Sequence, residues 1–422
     1  MPGVNPGVAV DIGTTTVVLY LVDCVSGKKL ATISKANEQI SFGADVTSRI
    51  EYAITHGHSE LTNLIREQIA SMLSDACEIA NISSTKISQI ALAGNTVMLH
   101  LAEDISPASM GTAPFKPQNL FGLSFPAWSN LNVSRKTSIY YAPAVSAFVG
   151  GDITMGLMAA GFEKFDYPAL LLDIGTNGEI VLKHNDTYYC CATAAGPAFE
   201  GAEIEMGMVA ENGAISRVKL SSDKRVIGFS VIGGGEAKGF CGSGLIDLLA
   251  ALLEKGEIDE TGRLMSGDKF FVYSDASAMG SRRGKTPAEL NSSAPPGAAP
   301  HISSGDIRKL QLAKAAIAAG IDVLLHYAGI NESEIKLLAL AGGFGSFLDT
   351  SSAARIGLFS KELLPVSYPV GNAAGDGAVL TLLEKDAKER LDKICDKCEY
   401  IDLSANAFFN DRFVERMGFP NI

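Results

Sequence analysis

The sequence predicts an α/β protein made of two similar lobes. Two related turns carry that expectation. Val8-Ala9-Val10 leads into Asp11-Ile12-Gly13-Thr14-Thr15-Thr16, and Leu170-Leu171-Leu172 leads into Asp173-Ile174-Gly175-Thr176-Asn177-Gly178-Glu179. Each is an apolar strand, an Asp, a tight Gly turn with hydroxyl or amide groups, and a second strand. Apolar runs of strand length alternate with helix-period segments along the chain, the pattern of an α/β fold. Such a duplication places two similar lobes face to face, with a cleft suited to a nucleotide's phosphates and Mg²⁺.

The elements follow in order. Residues 7–22 read as a hairpin, 40–55 as a turn and a helix, and 61–80 as a helix with Leu61, Leu64, Ile65, Ile69 and Met72 on one face. Ile87–Leu92 is a short strand, and 105–135 is Pro-rich and irregular. Val149-Gly150-Gly151-Asp152 opens a helix that runs to about Ala160, and the second lobe starts near Pro168. Gly-rich turns follow at 194–198 and 233–235. Phe240-Cys241-Gly242-Ser243-Gly244 opens a helix expected over Leu245–Leu253. Residues 276–300, rich in Ser, Ala, Gly and Pro, read as a loop insertion. The longest helix is expected from about Asp306 to Tyr327. Ser303 and Asp306 have capping-box spacing at its start, and Gly329 supplies the stop. Leu337–Leu340 is a strand that ends in Gly342-Gly343-Phe344-Gly345. Asn372-Ala373-Ala374-Gly375-Asp376 opens one more helix. The lobes divide as residues 1–165 and 166–422, with the C-terminal helices free to return to the first.

Composition bounds the function. The chain has 422 residues, 47% hydrophobic and 19% charged, with a net charge of −12. That balance argues against a broad footprint for nucleic acid or an anionic membrane. No run approaches the roughly 20 apolar residues of a membrane span. Met1-Pro2-Gly3-Val4-Asn5-Pro6 lacks the features of a secretory signal, so the expected location is cytoplasmic. The seven cysteines are scattered, and only Cys395 and Cys398 have metal-like spacing, without the further ligands a site needs. No cysteine cluster has ferredoxin spacing. Among the six histidines, His56 and His58 read as a polar turn and His100 as a core-edge helix position.

The turns carry the chemistry. Glycine lets backbone N–H groups approach phosphate oxygens, and threonine hydroxyls add neutral donors. A carboxylate repels phosphate unless a hydrated Mg²⁺ lies between them. Asp11 and Asp173 are therefore read as metal partners acting through water. Gly13, Thr14, Thr15 and Thr16 are expected to line one phosphate, and Gly175, Thr176, Asn177 and Gly178 another. Gly342, Gly343, Phe344 and Gly345 suit close packing of a base or ribose. Orientation of a hydrolytic water needs a carboxylate or amide. Asp11, Asp152, Asp173, Glu179 and Glu200 are the candidates, with Asp152 ahead because it opens a helix. Ser243 and Gly233–Gly235 are candidates for a close-approach surface.

These motifs, in this order, resemble the phosphate-1, phosphate-2, adenosine and connecting motifs of the acetate and sugar kinase, Hsc70 and actin superfamily. The resemblance is closer to reductive activators of corrinoid proteins. It is carried by Asn37-Glu-Gln-Ile-Ser-Phe-Gly-Ala-Asp-Val-Thr-Ser-Arg49, Ala93-Gly-Asn-Thr-Val-Met-Leu-His-Leu101, Ala142-Pro-Ala-Val-Ser-Ala-Phe-Val-Gly-Gly-Asp152, Ala194-Ala-Gly-Pro-Ala-Phe-Glu-Gly201 and Gly242-Ser-Gly-Leu-Ile-Asp247. It implies two RNase H-like lobes of the actin-like ATPase type with an interlobe nucleotide cleft. It implies ATP and Mg²⁺ as ligands, and a corrinoid protein of a methyltransferase system as partner. ATP hydrolysis would drive reduction of Co(II) to Co(I). The family's electron comes from an iron–sulfur domain. Here the cluster is expected on a separate donor or on a domain outside this sequence, with none bound by this chain, and a homodimer is compatible with the reading. The alternatives are a small-molecule kinase of the same superfamily, a non-hydrolysing nucleotide-gated corrinoid-protein binding module, and an activator of a radical dehydratase.

Overall fold

The computed structural model describes residues 4–175, 177–220, 227–272, 299–345 and 347–421. The expected phosphate residue Thr176 and nearly all of the expected 276–300 insertion lie outside the described residues. The chain folds into two compact units. One comprises 1–171, 181–191 and 370–401, and the other 172–180, 192–369 and 402–422.

The first unit contains a six-stranded sheet. β1 (Pro6–Ile12), β2 (Thr16–Asp23) and β3 (Lys29–Ala36) form an antiparallel meander, and β4 (Gln89–Gly94), β5 (Ser124–Pro126) and β6 (Ser138–Tyr141) complete the order β3-β2-β1-β4-β6-β5. β1 runs parallel to β4, with Asp11 opposite Ala93. Val8, Ala9, Val10 and Ile12 are all buried, so both faces of β1 are covered, as a near-continuous apolar strand requires. The helix Ser59–Ala80 buries Leu61, Ile65, Ile69, Met72 and Leu73 in the core of this sheet. The helix Ala373–Leu383 packs on β1 and β4 and against the helix Gly151–Ala159. The far C-terminal part of the chain thereby reaches the strand that bears Asp11.

β7 (Ala169–Ile174), β8 (Gly178–His184) and β9 (Thr187–Thr193) repeat the meander. Smaller pairings follow from β10 (Ala214–Leu220), β11 (Ile227–Val231), β12 (Gly239–Phe240), β13 (Lys269–Phe271) and β14 (His301–Ser303). With β15 (Leu337–Ala341), β16 (Ser367–Gly371) and β17 (Cys398–Tyr400), the second six-stranded sheet runs β16-β15-β7-β8-β9-β17.

The long helix spans Ser304–Ala328 and buries residues around its whole circumference, from Ile307 and Leu310 to Leu324 and Leu325. It corrects one expectation, because its length and hydropathy do reach those of a membrane span. Yet 78% of its most apolar window is buried within the protein, so it is a core helix of the second unit. It also carries a buried cation. The Lys314 ammonium donates to the carbonyls of Arg416 and Gly418 and sits 5.3 Å from the centre of the Phe419 ring. Burial pushes its pKa down to about 8.

A second correction concerns the helix Gly242–Lys255, which starts before Leu245. Gly242-Ser243-Gly244 reads locally as a turn but forms the first helical turn. A Cβ on Gly244 would lie 2.0 Å from the Ile215 carbonyl oxygen, so glycine here permits helix and strand to touch. Ser243 is buried and donates to the Ser216 carbonyl at 2.9 Å, which removes it as a surface candidate. The Gly233–Gly235 run does form an exposed turn, with all three residues at positive φ.

The expected capping box is present. Ser303 Oγ accepts from Asp306 N at 3.2 Å, and Asp306 Oδ2 accepts from Ser303 N at 3.0 Å. Ser303→Ala removes the hydroxyl that caps the helix and is expected to cost about 1 kcal/mol, read as a lower urea midpoint at unchanged slope.

Candidate functional site

In the first unit, β1 ends at Ile12 and β2 starts at Thr16, so Gly13, Thr14 and Thr15 form the connection. Gly13 N–H donates to Thr16 O at 3.0 Å and closes the turn. Thr14 and Thr15 are half-buried and Thr16 is exposed. Thr14 Oγ1 accepts from the Asn95 side chain at 3.1 Å. Asp11 stands one residue before the end of β1, opposite Val18. It keeps only a partial edge toward solvent.

Asp11 is not alone. Its pKa is raised to about 7, by burial first and by the charge of Asp152 second, and a hydrogen bond from Asn372 opposes both. Asp152 lies in the first turn of the helix Gly151–Ala159. Burial pushes its carboxyl up as well, while the Ile153 N–H, donating at 2.9 Å, opposes that rise. Asn372 caps the helix Ala373–Leu383, its Oδ1 accepting from Gly375 N at 2.8 Å, and its amide reaches Tyr20 Oη at 3.4 Å. Three segments distant in sequence thus meet at Asp11. No cation is among the described groups that set its charge.

In the second unit, Asp173 sits near the end of β7, and Gly175 N–H donates to Asn177 O at 2.9 Å. Gly178 opens β8 and is buried, with its carbonyl accepting from Thr193 Oγ1 at 3.0 Å. Glu179 is a half-buried strand residue. Glu200 lies on the short helical turn Pro197–Glu200, and its Oε1 would be 3.6 Å from a Cβ on Gly175. Of the carboxylates considered for the water, Glu200 therefore comes beside the second turn and Asp152 beside the first.

After β15, Gly342–Gly345 forms one turn of helix. Gly342 has φ +86°, and a Cβ there would lie 2.6 Å from Asp173 Oδ1 and 2.9 Å from Ile174 O. Glycine is required by both the left-handed backbone and the close approach. The structure therefore joins the Gly342 turn to the Asp173 turn. Gly343 is exposed, and Phe344 lies within the same helical turn.

Among the described residues, no group of three or more His, Cys, Asp or Glu could hold a metal ion by itself. The donors present fit a hydrated Mg²⁺ instead. Asp11 offers hard oxygen atoms beside the Asp152 carboxyl, with no positive partner among the described groups that set its charge, and Mg²⁺ retains water and takes substrate phosphate oxygens for its other ligands. His100 is unsuited to any ligand role. It is fully buried, its Nδ1 donates to Thr96 O at 2.7 Å, its Nε2 accepts from Asn119 N at 3.2 Å, and burial pushes its pKa down to about 4.

Two family models cover the chain: "RACo middle region" over residues 6–165, and "C-terminal domain of RACo the ASKHA domain" over residues 167–422. The chain belongs to the RACo family. RACo denotes reductive activators of corrinoid proteins, and the fold is the actin-like ATPase, or ASKHA, domain. This RACo member is 37% identical over 423 residues to the corrinoid activation enzyme RamQ of Eubacterium limosum, spanning 97% of this chain and 69% of that protein. It is 24% identical over 443 residues to the [Co(II) methylated amine-specific corrinoid protein] reductase of Methanosarcina barkeri, spanning 97% and 76% respectively. A solved structure described as a reductive activator for corrinoid, iron–sulfur protein superposes with a TM-score of 0.84 at 35% identity, covering 100% of this chain and 67% of that one.

The raised carboxyl of Asp11 has a pH signature. The unfolded Asp titrates near 3.9 and the folded one near 7, so the native state holds more protons between those values. Native stability therefore falls as pH rises through that window. Asp11→Asn removes the charge and should stabilise the nucleotide-free protein by about 1 kcal/mol or more at pH 8, with no gain at pH 3.5. Denaturant melts of both proteins across pH measure the difference.

Proposed function

We propose that this chain is the ATPase body of a reductive activator. It couples ATP binding and hydrolysis to the reduction of a corrinoid protein from the inactive Co(II) state to Co(I). The observation that carries this reading is the match to a corrinoid activation enzyme and to a Co(II) corrinoid protein reductase, each over 97% of the chain. The site chemistry supports the ATP part. Gly13 closes a turn whose Thr14, Thr15 and Thr16 supply N–H groups and hydroxyls to one phosphate group, and Gly175 closes a second turn whose Thr176, Asn177 and Gly178 serve another. Gly342, Gly343, Phe344 and Gly345 give the nucleoside a close backbone approach. Asp11 and Asp173 hold Mg²⁺ through water. The ion, when bound, supplies positive charge to the phosphate oxygens and relieves the repulsion around Asp11.

Asp152 is the residue we assign to the attacking water. Its carboxyl is raised toward neutrality by burial, which suits a group that accepts a proton and releases it again. The water's oxygen bonds to the γ-phosphorus, the bond to the ADP oxygen breaks, and the proton passes to the carboxylate. Cobalt reduction is a separate one-electron step, and the electron comes from an iron–sulfur donor. The nucleotide contributes through its differential affinity for two states of the activator, the only way a ligand moves such an equilibrium.

The test joins the full chain to a corrinoid protein held at Co(II), a reduced iron–sulfur protein and Mg·ATP, and follows Co(I) by its absorbance. Co(I) should accumulate only with hydrolysable ATP. Asp11→Asn, Asp173→Asn and Asp152→Asn should each slow ATP turnover by about a hundredfold. Reduction at the same rate and extent without ATP would sink the reading.

A further inference from the structure

A phosphate-binding turn works only if its N–H groups face the ligand, so its carbonyl oxygens must be occupied from behind. In the first turn all four are. Gly13 O accepts from the Asn37 side chain at 2.9 Å. Thr14 O accepts from Arg49 Nη2 at 2.6 Å. Thr15 O accepts from Asn37 N, and Thr16 O from Gly13 N. The donors Asn37 and Arg49 are both fully buried.

Arg49 is the unusual member. Its Nε donates to Gly43 O at 2.9 Å, and its Nη1 faces Gln39 Oε1 at 3.2 Å and Met98 Sδ at 3.1 Å. Every one of these partners is neutral. The carboxylate whose charge it feels, Asp45, is engaged as the cap of the helix Val46–His56 and accepts from Ser48 N at 2.7 Å. Burying a guanidinium without a carboxylate in contact is costly, and neutral side chains of similar length would fill the same space. Burial draws its pKa down to about 10, so it stays charged at neutral pH. The sequence from Asn37 to Arg49 is thus a strap that returns two buried donors to the back of one turn.

We infer that Arg49 is a positioning residue for the nucleotide site: it holds the Thr14 carbonyl inward and sets a fixed positive charge directly behind the phosphate-facing amides. This deepens the ATP reading above and rests on it. The guanidinium touches no ligand. It acts through the turn, by orientation and by the field it adds for a polyanion.

Two measurements test this on the full chain with R49M, which keeps bulk and removes charge, and R49K, which keeps charge and removes the fork. Amide hydrogen exchange of nucleotide-free protein reads the clamp. Exchange at Gly13 and Asn37, whose N–H groups donate to Thr16 O and Thr15 O at this turn, should rise about tenfold in both variants, with distant core strands unchanged. Competition binding with Mg²⁺ reads the charge. R49M should lose about tenfold in ATP affinity, less for ADP and least for AMP, and R49K should restore most of that dependence on phosphate number. Unchanged exchange at the turn, or equal losses for all three nucleotides, would overturn the assignment. Should R49M not fold, R49K alone decides through the same exchange measurement. If the unmodified protein binds no nucleotide, the ATP reading falls on that result, and exchange still decides the clamp.

Discussion

Negative charge held without a positive partner is the condition around which the first unit is arranged. Asp11 and Asp152 lie close enough to interact as charges, and burial raises the proton affinity of both. Asn372 offers Asp11 only an amide, which softens the repulsion without removing it. Such an arrangement is stable when the carboxyls share protons or when a cation arrives. The surrounding structure keeps them in place regardless. Asp11 is held by the register of β1 between β2 and β4, and Asp152 by the start of a helix that packs on Ala373–Leu383.

Around those carboxylates the same unit keeps a positive charge one layer back. Arg49 contributes its charge through the Thr14 carbonyl and not through an ion pair. That separation matters physically. A guanidinium in contact with Asp11 would neutralise the group a metal needs, whereas one behind the turn leaves the carboxylate available and still favours phosphate. The second unit solves a similar problem with backbone. Gly342 lets the chain after β15 come against Asp173, so the glycine-rich turn and the carboxylate are parts of one local structure.

Local patterns were legible where the responsible interactions are local. Ser303 and Asp306 are three residues apart, and the box they form is a contact within one turn. The apolar stripe of Leu61, Ile65, Ile69 and Met72 needs only a core to face. The Asp-Ile-Gly-Thr repeats announced themselves because a tight turn after a buried strand has few sequence solutions. Inference failed where a distant atom decided. Gly242-Ser243-Gly244 reads as the lead-in to a helix, and only the Ile215 carbonyl explains why these small residues are its first turn. Gly342 likewise lies against Asp173 and Ile174, a close approach that no local pattern announces. The helix Ser304–Ala328 satisfies the arithmetic of a membrane span, and only its burial by neighbouring protein identifies it as core.

By itself, the order of residues determined that this is an α/β chain with two Asp-Gly turns, where the capped helix after Ser303 begins, and which family the extended blocks resemble. Periodicity, capping and turn chemistry act over a few residues, so a short stretch of chain contains them. The tertiary structure decided which groups share an environment. Arg49 meets Thr14 across 35 positions, and Asn95 meets it across 81. Asn372 reaches Asp11 from the other end of the chain. Charges and carbonyls act through space over a few ångströms, and proximity of that kind exists only once the chain has folded.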